Sequence, residues 1–479
     1  MDCHQIPPHR STARHIRKLL DRGSIDAVDL VECFFSRLTE VNPYINAVVA
    51  ADRDLALRQA IESNRRRRDG ACLSPIDGLP VTVKDNLYIA DLPATWGSRA
   101  FAGWYPGTDD LSVQRLRRAG ANIFAKTNTP EFALAATTHN DLFGTTRNPW
   151  DLDLTPGGSS GGAAAAVAAG LGVLAIGTDA GGSIRRPASY TGTVGFRPST
   201  GRIPRIAGFP ALAFDLQVVA PCARTVDDAY DLFRIMAGPD RRDRTSMSFT
   251  DYPLPESIPA LNRPLKILHM TGVPGKRVDA PIVAELHAAA ERLRRNGHRV
   301  ECAEAPYRIE EIERVWSVFT KVGVARFWND HADRQNLLTQ AARSMAIQGG
   351  QISGVDYLDA VRICTKLRED FCRFFEQFDA ILSPASAAMP WQAEAAYPVV
   401  IDGQPAGPRD AAIFATFVNV AGLPSISVPA PVGSGGLPIG IQLTAAYGAD
   451  VLLLQLARQL ESPFAFPEDC WKENQGRSN

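Results

Sequence analysis

The sequence predicts an α/β fold, and two observations carry that prediction. Short apolar segments of β type alternate along the chain with longer segments of helical periodicity, which is the pattern of a sheet covered by helices. In addition, 45% of the 479 residues are hydrophobic, which is enough to bury a large core. A chain of this length is compatible with about two to three domains or with one large α/β domain.

The predicted elements follow one another from the N-terminus. Ser24 is positioned to cap the first well-patterned helix, whose apolar residues extend to Val41. Further helices are predicted over residues 51–68, 113–119, 163–169, 280–296 and 449–460, with a weakly patterned helical block over 308–375. Strands are predicted over residues 81–85, 121–126, 171–178, 265–272, 378–384 and 424–429.

Charge and composition argue against several classes of protein. The chain has 51 basic and 52 acidic residues, so the basic surface typical of nucleic-acid binders is not predicted. The eight cysteines form no CxxC pair and the histidines form no HExxH motif, so no metal site is predicted. Residues 1–20 lack the apolar stretch of a signal peptide, and the Ala/Gly-rich run 161–178 is a poor membrane span. We therefore expect a cytoplasmic protein with no metal, no cofactor, no nucleic-acid partner and no membrane partner.

Glycines are concentrated around two serines. Of the 38 glycines, eleven lie in residues 157–195. Ser159 and Ser183 are separated by one predicted helix and one predicted strand, a connection that returns both glycine-rich loops to the same end of a sheet. Asp179 is the one formal charge in residues 155–184, which indicates an apolar surrounding. Successive glycines leave backbone N–H groups free to point at one anion, as an oxyanion hole requires.

Two other motifs overlap this region and are less convincing. A GxGxxA pattern that starts at Gly170 follows a predicted helix, whereas a dinucleotide-binding loop follows a strand. A GxSxG pattern at residues 158–162 lacks the strand that precedes a nucleophile elbow. None of the histidines has a sequence context that favours a catalytic base.

The scarcity of lysine draws attention to Lys84. Only eight of the 51 basic residues are lysines. Lys84 lies in the predicted strand 81–85, and a lysine on a buried strand loses its hydration, so that its pKa falls and it can act as a neutral base. The alternative is a lysine at a strand end that extends to solvent or pairs with Asp85. The residues alone leave both interpretations open.

Several segments resemble the sequence blocks of the amidase signature family, in the order expected for that family. The two most specific are Gly-Gly-Ser-Ser-Gly-Gly at 157–162 and Gly-Thr-Asp-Ala-Gly-Gly-Ser-Ile-Arg at 177–185. Further resemblances lie at residues 78–86, 126–131, 144–150, 195–199, 224–228 and 419–429. The resemblance covers residues 10–240 and 375–460.

The resemblance implies an architecture. It is a large mixed, mostly parallel central β-sheet flanked by α-helices, within a single domain over residues 1–479. The core of that domain is expected at residues 10–240 and 375–465. A more variable, largely helical insertion is expected at residues 265–375.

The resemblance also implies a role for each residue of the site. Ser183 is the expected nucleophile, Ser159 the bridging serine that follows a non-proline cis peptide bond, and Lys84 the base. The backbone N–H groups of the loop are expected to form the oxyanion hole, at Ala180, Gly181, Gly182 and Ser183. Four further polar residues are expected to support the loops, namely Ser160, Thr178, Asp179 and Arg185, of which the last two are expected to pair.

The expected activity is that of a serine amidohydrolase. It would cleave the C–N bond of a small, largely apolar amide, anilide or carbamate through an acyl-enzyme on Ser183, with esterase side activity, as an aryl acylamidase or a urethanase does. Phe209 and Phe214 are candidates for the substrate pocket, and no positively charged pocket is predicted. The expected partner is the small-molecule substrate alone, and a homodimer is left open.

Two other hypotheses remain. One is the glutamine-hydrolysing, ammonia-supplying subunit of a tRNA-dependent amidotransferase complex. The other is a non-catalytic relative, which the presence of Lys84, Ser159 and Ser183 disfavours.

Overall fold

The protein is built around one eleven-stranded mixed β-sheet. A computed structural model describes residues 7–431 and 436–467. The sheet has the order β1-β3-β2-β6-β8-β7-β14-β15-β11-β9-β10, and β4–β5 and β12–β13 form two small separate pairs. The strands are β1 Val48–Ala51, β2 Pro80–Lys84, β3 Asn122–Thr127, β4 His139–Asn140, β5 Gly144–Thr145, β6 Leu174–Asp179, β7 Val194–Arg197, β8 Val218–Ala223, β9 Lys266–Met270, β10 Arg299–Ala303, β11 Ala380–Pro384, β12 Val400–Ile401, β13 Gln404–Pro405, β14 Ser425–Pro429 and β15 Gly440–Ala445.

The α/β class and the mixed sheet are confirmed, but the balance of strand directions differs from the expectation. Four neighbouring pairs are parallel, namely β2–β3, β2–β6, β9–β10 and β9–β11. The other six pairs of the main sheet are antiparallel. In the middle of the sheet, no described α-helix lies between β7 and β8 or between β14 and β15, which follow each other in the sequence and pair in the sheet. Strands that follow one another without a crossover pair in antiparallel fashion, so the sheet is not mostly parallel.

Thirteen α-helices of the described chain cover the sheet. Helix α2 is capped by Asp26 and not by the predicted Ser24, because the Asp26 carboxylate accepts hydrogen bonds from the N–H groups of Val28 and Asp29 at 2.7 and 2.8 Å. The helices are α1 Ala13–Asp21, α2 Ala27–Ile45, α3 Arg53–Arg68, α4 Leu111–Arg118, α5 Gly161–Ala169, α6 Arg185–Thr191, α7 Val226–Met236, α8 Ala280–Arg295, α9 Ile309–Asp330, α10 Gln340–Gly350, α11 Gly354–Phe374, α12 Thr416–Ala421 and α13 Asp450–Leu460.

Helix α5 is buried along its whole length, because its side chains are small. It consists of two glycines, six alanines and one valine, and it ends at Gly170 in the left-handed conformation, as predicted. A Cβ atom on Gly162 would lie 2.5 Å from the backbone N and O of Asn128. Glycine at this position therefore lets the helix approach the chain after β3 and brings its N-terminus close to the sheet.

The segment 265–375 is largely helical, as expected, but it also extends the main sheet. Its strands β9 and β10 form one end of the sheet, beside β11. Its helices α9 and α10 pack against each other, and α11 packs against α9. That the whole chain behaves as one domain remains a prediction.

Three observations on the described residues concern thiols, metal ligands and membrane spans. Six cysteines in them are free, while Cys3 and Cys470 lie outside the described residues. No cluster of three or more His, Cys, Asp or Glu side chains in the described residues is arranged to hold a metal ion. None of the helices described here is both long and apolar enough to cross a membrane.

The contact between α9 and α10 gives a prediction about stability. A Cβ atom on Gly349 would lie 2.0 Å from the carbonyl oxygen of Lys321, whereas a Cβ atom on Gly350 would meet nothing within 4 Å. We expect Gly349→Ala to destabilise the protein by about 1–3 kcal/mol, because the two helices must separate. Urea unfolding followed by tryptophan fluorescence measures the change.

The matched control is Gly350→Ala. The same substitution one residue later adds helix propensity without a clash, so we expect no loss of stability. Equal stabilities for the two variants would contradict the close packing of α9 on α10.

Candidate functional site

Two parallel strands bring the candidate residues to one edge of the sheet. Strands β2 and β6 are neighbours in parallel register, with Val83 beside Ile176. Lys84 is the last residue of β2 and Asp179 the last residue of β6. The glycine-rich loop before α5 and the loop between β6 and α6 both lie at this edge, because Ser160 N–H donates to the carbonyl oxygen of Ser183 at 3.0 Å.

The Lys84 amino group is surrounded by hydroxyl groups. Its Nζ lies within hydrogen-bonding distance of Ser159 Oγ at 2.8 Å, Ser160 Oγ at 2.9 Å and Thr178 Oγ1 at 3.1 Å. Burial lowers the pKa of Lys84 well below its ordinary value, and the negative charge of Asp179 opposes this only in part.

The alternative interpretation of Lys84 is wrong. The lysine is fully buried, so it does not extend to solvent. Asp85 pairs with Lys126, whose Nζ lies 3.4 Å from Asp85 Oδ1. The carboxylate beside Lys84 in sequence therefore neutralises a different lysine.

Ser159 and Ser183 lie on either side of this arrangement. The Gly158–Ser159 peptide bond is cis, as the family resemblance implied. Ser159 is buried and bonded to Lys84, while Ser183 is 8% exposed and lines a cavity. Within the described residues, no hydrogen bond joins the two serine hydroxyls. Such catalytic hydrogen bonds are often long without substrate and tighten only when it binds.

The carboxylate of Asp179 holds the loop that carries Ser183. It accepts hydrogen bonds from the N–H groups of Gly182 at 2.9 Å and Ile184 at 3.1 Å. It also pairs with Arg185, as predicted, through contacts of 3.0 and 3.1 Å. Burial alone would raise the pKa of Asp179, but the Arg185 guanidinium holds it far below its usual range. Asn419 donates a further hydrogen bond to this carboxylate at 2.8 Å.

The free backbone donors of the loop differ from the expected set at one position. Gly182 N–H is engaged by Asp179, so it is not free for an oxyanion, and including Gly182 as a donor was wrong. The N–H groups of Ala180, Gly181 and Ser183 make no hydrogen bond within residues 7–431 and 436–467. These three donors remain available to an anion at the cavity wall.

Neither predicted pocket residue lies in the cavity beside Ser183. Phe209 is buried in an aromatic cluster, where it stacks on Trp96 with ring centroids 4.5 Å apart. Phe214 is 53% exposed and contacts Phe319 edge-on at 5.6 Å. The assignment of both residues to the substrate pocket is therefore wrong. The chain that follows β7 turns these two aromatic rings away from the cavity, which sequence spacing could not reveal.

The cavity itself has a volume of about 370 Å³ and carries positive charge. Arg186, Lys321 and Arg409 line it, and Trp316 lies over Gly181. No aspartate or glutamate is among its described lining residues. The sequence carried no signal for a positively charged pocket, although its many arginines left room for one, and the structure places three cationic side chains around this cavity. Arg186 could have been suspected from its place beside Arg185, whereas Lys321 and Arg409 are distant in sequence and carry no motif.

The sequence profile of the Amidase family matches residues 29–454. The chain belongs to the amidase family. This amidase is a hydrolase that acts on carbon–nitrogen bonds. It is 34% identical over 476 aligned residues to a subunit of the glutamyl-tRNA(Gln) amidotransferase of Symbiobacterium thermophilum, with 93% of this chain and 95% of the relative covered.

Solved structures of similar proteins share the fold of this amidase over nearly its full length. A bacterial aryl acylamidase of the amidase signature family matches with a TM-score of 0.86 and 28% identity, covering 96% of this chain and 98% of that one. The corresponding subunit of the glutamyl-tRNA(Gln) amidotransferase of Thermotoga maritima matches with a TM-score of 0.76 and 26% identity, covering 97% and 99%.

These relatives overturn the expectation about partners. Relatives that are 33–34% identical to this amidase are named as subunits of glutamyl-tRNA(Gln) amidotransferase, a name that includes a tRNA and implies further subunits. The family resemblance was the ground for expecting a small-molecule substrate as the only partner, and the near-zero net charge was the ground for expecting no nucleic acid. That ground is insufficient, because the net charge of one chain says nothing about a partner engaged through other subunits.

Proposed function

We propose that this amidase cleaves amides through an acyl-enzyme on Ser183. The observation that carries the proposal is the Lys84 amino group, which is buried, has a lowered pKa and lies 2.8 Å from Ser159 Oγ. Neutral Lys84 takes the proton of Ser159, and Ser159 takes the proton of Ser183. The Ser183 oxygen then attacks the amide carbon, and the carbonyl electron pair moves onto the oxygen.

The same groups complete the reaction in the reverse direction. The N–H groups of Ala180, Gly181 and Ser183 stabilise the oxyanion, which is where such donors have their largest effect. Lys84 returns the proton through Ser159 to the leaving nitrogen, and the C–N bond breaks. Water then attacks the acyl-ester carbon, gives up a proton along the same relay, and releases the acid and free Ser183.

We further propose that the amide is glutamine and that the chain is the ammonia-supplying subunit of a tRNA-dependent amidotransferase. Support comes from relatives of that name that align over 93–95% of this chain at 33–34% identity. The positive charge of the cavity supports the same substrate, because glutamine carries an α-carboxylate. The partners of the chain would then be further subunits and, through them, a tRNA. A cytoplasmic location fits this role and stays a prediction.

A second candidate is the hydrolysis of a small amide, anilide or carbamate. One observation favours it: no described lining residue of the cavity is acidic, so the α-ammonium group of glutamine has no counter-charge there. The TM-score of 0.86 against an aryl acylamidase, compared with 0.76 against an amidotransferase subunit, points in the same direction.

Substrate preference separates the two candidates. For the glutamine-hydrolysing subunit, we expect kcat/KM of the purified chain to be at least about 100-fold higher for glutamine than for 4-nitroacetanilide, since a charged site rejects a substrate that lacks its ionic partner. Ammonia release and nitroaniline absorbance measure the two rates. The opposite order would sink the glutamine assignment and support the second candidate.

Substitution of the three proposed catalytic residues tests the mechanism itself. We expect Ser183→Ala to lower kcat by about 10⁴-fold or more, as removal of a nucleophile does. Ser159→Ala and Lys84→Ala should each lower kcat by about 10²–10⁴-fold, because proton transfer is lost. The exposed Ser344→Ala and Lys366→Met are matched controls that should leave kcat unchanged. A fully active Ser183→Ala protein would rule out the acyl-enzyme.

The rate should depend on pH through Lys84. Below its pKa in the folded protein the amine is protonated and cannot accept a proton, so kcat/KM should rise with pH and level off once the amine is neutral. Because burial lowers this pKa, the rise should be complete well below pH 10.5. A pH–rate profile measures it, with circular dichroism to show that the fold persists. The residual activity of Lys84→Ala should lack this rise, and an unchanged rise would remove Lys84 as the base.

A further inference from the structure

We propose that Arg186 and Arg409 form an anion subsite that binds a carboxylate on the acyl part of the substrate. The proposal rests on the Ser183 chemistry described above, and it holds for glutamine and for other carboxylate-bearing amides. It names what selects the substrate in the cavity.

Arg186 is a buried cation without an anionic partner. Its side chain is 3% exposed. It donates to the carbonyl oxygen of Gly158 at 3.1 Å, while its Nε has no hydrogen-bond partner within the described residues. The nearby carboxylate of Asp179 is already engaged by Arg185. A buried charge of this kind is costly unless an anion compensates it, and Arg186 lines the cavity where such an anion could bind.

Arg409 approaches the same cavity and is held in a defined orientation. Its guanidinium stacks over the ring of Trp316 at 4.5 Å and donates to Thr416 Oγ1 at 2.7 Å. Its Nε is also buried without a partner among the described residues. Glu313 acts on it electrostatically but forms no ion pair with it in the described chain. Stacking fixes the plane of a guanidinium and leaves its N–H edge free for a carboxylate.

The position of these groups fits a substrate bound at Ser183. Ser183, Arg186 and Arg409 line one cavity. A Cβ atom on Gly182 would lie 3.6 Å from Arg186 Nη2, and one on Gly181 would lie 2.8 Å from the Trp316 ring. The guanidinium groups therefore border the loop whose N–H groups are proposed to hold the oxyanion.

The net charge of the cavity agrees with an anionic ligand. Lys321 adds a third positive group, and the described lining contains no acidic residue. Burial lowers the pKa of both guanidinium groups, and the positive charge of Arg186 lowers the pKa of Arg409 further. A bound carboxylate would relieve this repulsion.

The carboxylate belongs to the acyl part of the substrate. In a primary amide the leaving group is ammonia, which carries no further substituent, so any recognised anion must lie on the acyl side. A cavity of about 370 Å³ has room for an acyl part with a short carboxylate-bearing chain. Glutaramate, the amide of glutaric acid, meets both conditions and lacks the α-ammonium group of glutamine.

The test compares glutaramate with pentanamide, which has the same chain length without the carboxylate. For the unmodified protein, we expect kcat/KM to be at least about 30-fold higher for glutaramate, as hydrogen bonds to a charged group provide. In Arg409→Gln the ratio of the two kcat/KM values should fall by at least about fivefold, mainly through a higher KM for glutaramate, while Arg186 and Lys321 retain part of the preference. Arg409→Lys, which keeps the charge, should restore part of the ratio, and Arg362→Gln, at an exposed arginine outside the cavity, should leave it unchanged.

A second experiment measures how well each amide protects Ser183 from labelling by a fluorophosphonate probe, and it does not require turnover of the amide. We expect glutaramate to protect at a concentration at least about tenfold lower than pentanamide does, and Arg409→Gln to reduce that difference. Ser183-dependent labelling or hydrolysis with no preference for glutaramate would overturn the anion subsite alone. The same holds if Arg409→Gln keeps the full preference. If neither labelling nor hydrolysis depends on Ser183, the proposed function fails, and the subsite fails with it.

Discussion

The burial of one amino group is the constraint on which the site depends. Lys84 is removed from solvent and contacts three hydroxyl groups, but no carboxylate of the described chain forms an ion pair with it. Hydroxyl oxygens orient the amine without supplying the negative charge that would keep it protonated, so its pKa falls. This environment exists because β2 lies inside the sheet between β3 and β6 and the buried helix α5 packs on these strands.

A second constraint is the distribution of charge among Asp179, Arg185 and Arg186. Asp179 is neutralised by Arg185, and in that state it binds the N–H groups of Gly182 and Ile184. The loop is therefore held open with the N–H groups of its other residues free. Because Asp179 pairs with Arg185, Arg186 has no counter-ion among the described residues. The positive charge of Arg186 therefore borders the cavity.

Much of the fold followed from local pattern, and the misses have a common cause. Helices such as α5 and α8 and strands such as β2 and β6 were predicted because their apolar residues are periodic or form short runs. Strands β1, β7, β8, β10 and β15 were not predicted. Most of them are as long as the predicted strands, but residues such as Pro221 in β8, Gly195 in β7 and Gln442 in β15 interrupt their apolar runs, so pairing with neighbouring strands defines them.

The sequence by itself determined the family, the α/β class and the residues that meet at the end of β2 and β6. It could do so because several segments match the sequence blocks of the amidase signature family in order, whereas the local pattern alone left the role of Lys84 open. Only the tertiary structure decided which donors stay free and what lines the cavity. Contacts of the folded chain decide three features. Gly182 N–H binds Asp179, Phe209 packs in an aromatic cluster, and Arg409 lines the same cavity as Ser183. Packing of distant segments sets such contacts, and spacing along one sequence does not encode them.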